Sequence, residues 1–359
     1  MSQPLSLSYD PTADTQAYWL TEALLEHPQG GTFRKLVAMR EADESSRVDL
    51  DALLRPPRHE TNPNVSGGAL QRWHRLAFDS LRMMDDEVIG GFTQTHRFLD
   101  IGFSPGGRSS YLLTTWRNSR GMAISLPPED GGLGCAIPPN LHSRLDIRLD
   151  DITRYDYWPE LSKPEPPRPP SSAAPVPAPL PFARHKFDLV LCAAYPPARS
   201  DTRPWRSTRH LVARALLALL AVYSGGTILL ELSHIESPLV ARLVIAFGRI
   251  ATIASLKSQI IQKKRGSFDL LARGVRIDTP DFRNLIYGLQ RLLQIMSYGG
   301  ERGDGRNINW GEQDLITPWK EVLNPTGVAQ IATQGVEIWE VQYRALKKAL
   351  YSKGMEIDN

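Results

Sequence analysis

The stretch whose residue types could do chemistry is His96 to Tyr111, HRFLDIGFSPGGRSSY. Residues 98–101 read as a short buried strand, Gly102-Phe103-Ser104-Pro105-Gly106-Gly107 as a tight turn, and residues 108–116 as a helix. Strand, glycine turn and helix form the first unit of a doubly wound α/β fold, in which ligands sit outside the carboxyl ends of the strands. Glycines let the backbone come close to a ligand, and the helix start offers free N–H groups. The spacing decides which ligand. A dinucleotide fingerprint needs G-x-G-x-x-G, and the glycines at 102, 106 and 107 miss it. Gly102 and Gly107 have phosphate-loop spacing, but Arg108 and Ser109 follow where that loop needs Lys and Ser or Thr.

The pattern D-x-G-x-x-P-G-G resembles that of methyltransferases that use S-adenosylmethionine (SAM). With S-P-G-G followed by S-S-Y-L-L, it looks like the FtsJ-like family of ribosomal RNA methyltransferases, and most like its fungal branch. The resemblance covers about residues 69–275, strongest at 100–111, weaker at 188–232 and 265–272, and absent elsewhere. It implies that Asp100, Gly102, Phe103, Ser104, Pro105, Gly106 and Gly107 line the SAM site. It further implies an acid at the end of the second strand for the ribose hydroxyls. Ser125 stands there, with Glu129 or Asp130 as substitutes. An acid after the third strand commonly takes the adenine amino group, with an apolar neighbour on the ring. Asp151 with Ile152 is the expected pair and Asp150 the second choice, against the plain alternative that the Asp caps the turn that follows. Ala193 follows the fourth strand, beside the transferable methyl in this fold.

These positions need a scaffold. Residues 121–126, 145–148, 187–192 and 227–232 read as further strands, and FDLVLC is as apolar as the centre of a parallel sheet requires. Residues 250–255 and 267–272 read as an antiparallel closing pair. Helical spacing marks residues 15–26, 69–88, 206–223 and 239–247, with Gly225-Gly226 expected to end the third. Residues 281–296 and 336–351 are helical pieces around a glycine-rich turn at 299–309. The expected class is α/β, a Rossmann-like doubly wound sheet of the SAM-dependent methyltransferase type with helical N- and C-terminal extensions. Residues 1–68 form the first extension, 69–275 the domain and 276–359 the second. Residues 163–181 hold nine prolines in nineteen positions and read as a disordered insertion before the fourth strand.

Methylating a ribose hydroxyl needs a group that removes or orients its proton and cations that favour the alkoxide. The resemblance implies a Lys–Asp–Lys–Glu set for this. The mappable positions hold Ala193, Glu231 and Ser267 instead, and Lys35, Arg72 and Arg75 are the candidates for the first lysine. A carboxylate at 231 opposes alkoxide formation by roughly several kcal/mol in a low-dielectric site. His234 is a candidate base, Glu231 a base toward a more acidic acceptor, and Lys263, Lys264 and Arg265 candidate compensating cations. Three readings follow: a SAM-dependent methyltransferase, by resemblance acting on RNA ribose; a degenerate SAM-binding fold serving as a binding or regulatory protein; or a repurposed enzyme acting on a small molecule.

Composition bounds the rest. With 42% hydrophobic and 23% charged residues and a net charge of +3, the chain is ordinary for a globular protein and permits RNA without demanding it. The basic segment 199–209, with Trp205 among arginines, suits either a phosphate backbone or a solvated helix start. Two cysteines are too few for a disulfide framework or a zinc site, so no metal is expected. The N-terminus has no secretory pattern, and the apolar run 211–222 is short and interrupted by Arg214. An intracellular place, cytoplasmic or nuclear, with no membrane partner is the expectation; RNA and a small molecule are the partners considered, and no oligomeric state is assigned.

Overall fold

A computed structural model of the chain describes residues 13–45, 67–88, 91–92, 95–158 and 177–352. Its centre is a seven-stranded sheet: β1 (Arg97–Ile101), β2 (Arg120–Ser125), β3 (Leu145–Leu149), β4 (Phe187–Cys192), β5 (Val222–Leu232), β6 (Thr252–Leu256) and β7 (Phe268–Arg273), in the order β3-β2-β1-β4-β5-β7-β6. The first five strands run parallel and β7 runs antiparallel between β5 and β6. This is the Rossmann-like sheet of the SAM-dependent methyltransferase type. The central strands are apolar on both sides because helices cover both faces.

Alternation along the strands sorts the side chains into two cores. One holds Phe98, Leu189, Leu191, Leu229 and Leu271 under α3 (Gly67–Glu87) and α4 (Gly107–Thr115). The other, larger core holds Leu99, Ile101, Val190, Cys192, Ile228 and Leu230. It lies under α5 (Arg206–Ala221), α6 (Pro238–Ile250), α7 (Pro280–Tyr298), the short α8 (Trp319–Val322) and α9 (Pro325–Tyr351), joined by α1 (Ala13–Glu26) and α2 (Gly31–Ser45). Helices α7 and α9 start on Thr279 and Asn324, whose side chains accept from Phe282 and Gly327 amides, each with Pro at the first position.

Two expectations change. Gly225-Gly226 does not end a helix: α5 stops at Ala221, and Val222 already pairs with Phe187. The glycines fall in the irregular part of β5, between the pairs Phe187–Val222 and Leu189–Thr227, where Gly225 takes φ +83° and donates to the Val275 carbonyl while the Val275 amide donates to the Gly226 carbonyl. The β-branched and aromatic Val222 and Tyr223 favour extension over another helical turn. Helix α2 was not anticipated. Of the proline-rich insertion, residues 163–176 lie outside the described residues. Its end packs: Ala178 bridges Tyr155, and just beyond the insertion Phe182 meets Phe187 edge-on at 5.2 Å.

Candidate cofactor and acceptor site

Strand register alone gathers the candidate residues. Ile101 pairs with Ile124 and with Cys192, and Cys192 pairs with Leu230. The residues one step on, Gly102, Ser125, Ala193 and Glu231, therefore form one row along the carboxyl edge. Backbone bonds from Gly102 to Ile124 (2.7 Å) and from Ala193 to Ile101 (2.9 Å) extend the ladder into it. The turn after β1 takes φ +76° at Gly102 and +105° at Gly106, conformations that disfavour any side chain. Gly106 leaves the start of α4 without a side-chain cap. Ser104 Oγ donates to the carbonyls of Leu133 and Gly134, so the segment after β2 closes over the turn.

The acceptor edge carries a buried charge network. Glu231 lies opposite Asp269 across the β5–β7 pair, and Arg108, the second residue of α4, stands between them. Its Nη2 is 3.3 Å from Asp269 Oδ1 and 3.7 Å from Glu231 Oε2. Glu231 Oε2 also accepts from the Ala194 amide (2.9 Å) and Oε1 from Gln262 Nε2. Burial, and then Asp269, raise the Glu231 carboxyl above its ordinary range. Burial alone would lower the Arg108 guanidinium, but Asp269, Glu231 and Asp100 hold it above its ordinary value. Lys257, fully buried, donates to the carbonyls of Arg265 and Ser267, and burial pushes its ammonium down to about 7.

Asp100 is fully buried. Its Oδ2 accepts from Ser109 Oγ at 2.6 Å, and burial pushes the carboxyl up to about 6 against Ser109 and Arg108. Several buried polar atoms around the edge lack a partner among the described residues: Asp100 Oδ1, Arg108 Nη1, Asp269 Oδ2, Tyr195 Oη, His210 Nε2, and Nε and Nη1 of Arg214. Buried orphans are rare in native proteins and mark water or ligand positions when they cluster. They fit the amino-acid half of SAM, with an acceptor at Asp100 for an ammonium and donors at Arg214 and the start of α4 for a carboxylate. Two side chains stand against the glycines. A Cβ at Gly102 would overlap the Tyr195 ring, and one at Gly106 would overlap Ile137. The Tyr195 ring stands over Gly102 and is edge-on to His210 at 4.3 Å.

The residues expected to hold the adenosine have the following surroundings. Ser125 is buried. Asp151 caps the turn Ile152–Arg154, accepting from the Thr153 amide (2.9 Å) and hydroxyl (2.7 Å), the alternative weighed from the sequence. Asp150 accepts from Tyr155 Oη at 2.9 Å, and Ile152 is fully buried in the larger core. Phe103 is buried in the smaller core. The His234 ring packs on Gly266. None of the three lysine substitutes joins Glu231. Lys35 lies over the Tyr343 ring at 5.6 Å, Arg75 pairs with Asp79 at 2.9 Å, and Arg72 is exposed on α3. In the basic segment, Arg203 and Arg209 share Asp201, and Trp205 Nε1 donates to the Met296 carbonyl at 2.9 Å. The sequence reading gave no site role to Asp269, Tyr195, Arg214 or Lys257. Each is a polar residue inside an apolar run or at a strand end, which is the signal that could have singled them out. Among the described residues no group of His, Cys, Asp and Glu is arranged to hold a metal, and no helix is long and apolar enough to cross a membrane.

No family model and no curated protein matches the chain. Solved structures of methyltransferases resemble it distantly. A putative ribosomal RNA methyltransferase from Plasmodium falciparum is 14% identical, with a TM-score of 0.36 over 56% of this chain and 97% of that one. An O-methyltransferase family protein from Burkholderia thailandensis is 12% identical, with a TM-score of 0.36 over 69% and 72%. Human N-acetylserotonin methyltransferase, solved with SAM, is 11% identical, with a TM-score of 0.35 over 71% and 70%. The fold assignment rests on the strand order and the antiparallel β7.

Proposed function

We propose that this protein binds SAM at the turn after β1 and serves as a methyltransferase-fold binding or regulatory protein, with the ribose 2′-O-methylating chemistry of the FtsJ-like family replaced. One observation carries this: Glu231, at the position where the resemblance implies a lysine, has both oxygens engaged by the Ala194 amide and Gln262 and is ion-paired to Arg108. A carboxylate held this way ties the segment after β4 to β5. It offers no cation to a forming alkoxide, and its oxygens are already committed to two donors and an arginine. Ala193 supplies no acid beside it.

A second reading, methyl transfer to an acceptor more acidic than ribose, has Lys257 in its favour. Burial pushes its amine down to about 7 against the pull of Asp269 and Glu231, so it can be neutral near neutral pH.

The test is calorimetric titration with SAM and its demethylated product, followed by labelled-methyl transfer to structured and capped RNAs and to phenols and enols. Saturable SAM binding, lost in Gly106→Val, without transfer to RNA is the expected result. Transfer to RNA by the parent that Glu231→Ala abolishes would overturn the proposal, and transfer to phenols alone would favour the second reading. Absence of SAM binding would remove the cofactor assignment.

A further inference from the structure

A cavity of about 470 Å³ lies between the segment after β6 and the last turns of α9. Four cations line it: Lys263 and Lys264 on one wall, Arg344 and Lys348 on the other. Among the described residues no aspartate or glutamate lines it. Arg344 shares the exposed Glu340 at 3.4 Å, and Lys263, Lys264 and Lys348 have no carboxylate partner among the described residues. Its floor is Val341, Ala345 and Ala349, four residues apart and so on one face of the helix. The Gln342 side chain donates to the Lys264 carbonyl at 3.2 Å, which fixes the two walls against each other.

Like charges gathered around one concavity repel, and at positions 344 and 348 they do so along a single helix face. An anion removes that repulsion. Cations on two walls match an anion with charge at both ends, and a guanidinium with several ammoniums suits phosphate oxygens. The volume is that of a small-ligand pocket. Among the described residues no aromatic side chain lines it, so they offer no stacking platform of the kind single-stranded nucleic acid needs. We infer that this cavity is a binding site for a small, multiply phosphorylated anion with two or more linked phosphates. The neighbouring Gln262 holds Glu231, so the occupied site would adjoin the acceptor edge through one short segment.

The experiment is calorimetric titration of the full chain at low salt with sodium tripolyphosphate, with inorganic phosphate and with an RNA oligonucleotide. Saturable binding of tripolyphosphate, much tighter than that of phosphate, is expected. Lys264→Gln with Lys348→Gln should weaken it by roughly tenfold or more, as should raised salt. Lys348 is exposed and Lys264 partly so, and an unchanged melting temperature shows that the variant folds. Unchanged affinity in the double variant, phosphate binding as tightly as tripolyphosphate, or binding of the oligonucleotide alone would each overturn the inference.

Discussion

Asp100 illustrates how one buried group ties stability to pH. Its carboxyl rises from 3.8 in the open chain to about 6 in the fold, chiefly through burial. A raised folded value means that its contribution is fully present below pH 3.8 and is lost as pH rises through 6. Asp100→Asn can still accept from Ser109 and cannot ionise. The variant should therefore gain on the parent by about 3 kcal/mol across this window. Denaturation midpoints of both proteins over that pH range read the difference, and parallel curves would sink the assignment. Arg108 makes a second case. Arg108→Met leaves Glu231 and Asp269 facing each other across β5 and β7 with no cation between them, and should destabilise by about 3–5 kcal/mol. Adding Glu231→Gln should recover part of that loss in the same urea titration; if it recovers none, the two groups are not coupled.

Among the elements, the contact between α3 and α4 decides how the helix before the sheet meets the turn. Gly107 opens α4, and a Cβ there would run into the His74 carbonyl and the Phe78 amide of α3. Helix packing by itself requires this glycine. Gly107→Ala must push two backbones apart and should cost about 1–3 kcal/mol, read as a lowered melting temperature. An unchanged value would mean that α3 is loosely docked. The same contact sets His74 Nε2 2.8 Å from Ser110 Oγ, on the α4 side of the sheet. The basic residues of α3 thus lie along one helix flank, and none reaches Glu231.

For the whole molecule, the two ends of the chain share a core. Phe33 of α2 stacks on Trp339 of α9 with ring centroids 4.8 Å apart, and both are buried with Leu20, Leu24 and Leu36. Each truncation, Phe33→Ala or Trp339→Ala, should cost about 3–5 kcal/mol. Because the rings touch, the double variant should miss additivity by about 0.5–3 kcal/mol. A double-mutant cycle in urea measures this, and strict additivity would show that the N-terminal helices and α9 are stable independently of each other. Arg242 adds a polar tie of the same kind: it is fully buried and reaches Gln16 of α1, the Thr317 carbonyl and Asp314.

The sequence by itself determined the sheet and the turn. Apolar runs such as FDLVLC and TILLEL have no other stable place than the middle of a covered sheet. Glycines at 102 and 106 are needed wherever the chain turns at positive φ, and both properties are local. The residues at 193 and 231, where the resemblance implies an acid and a lysine, were legible too, because they are single residues at the ends of strands. Only the tertiary structure decided what surrounds them. Arg108 meets Asp269 from 161 residues away, and Tyr195 lies on Gly102 from another strand's end. Such contacts depend on register and helix docking, which no local spacing encodes. The same holds for Asp151. A capping Asp and a ligand-binding Asp look alike in sequence, and the Thr153 amide that Asp151 caps takes its place only when the turn closes.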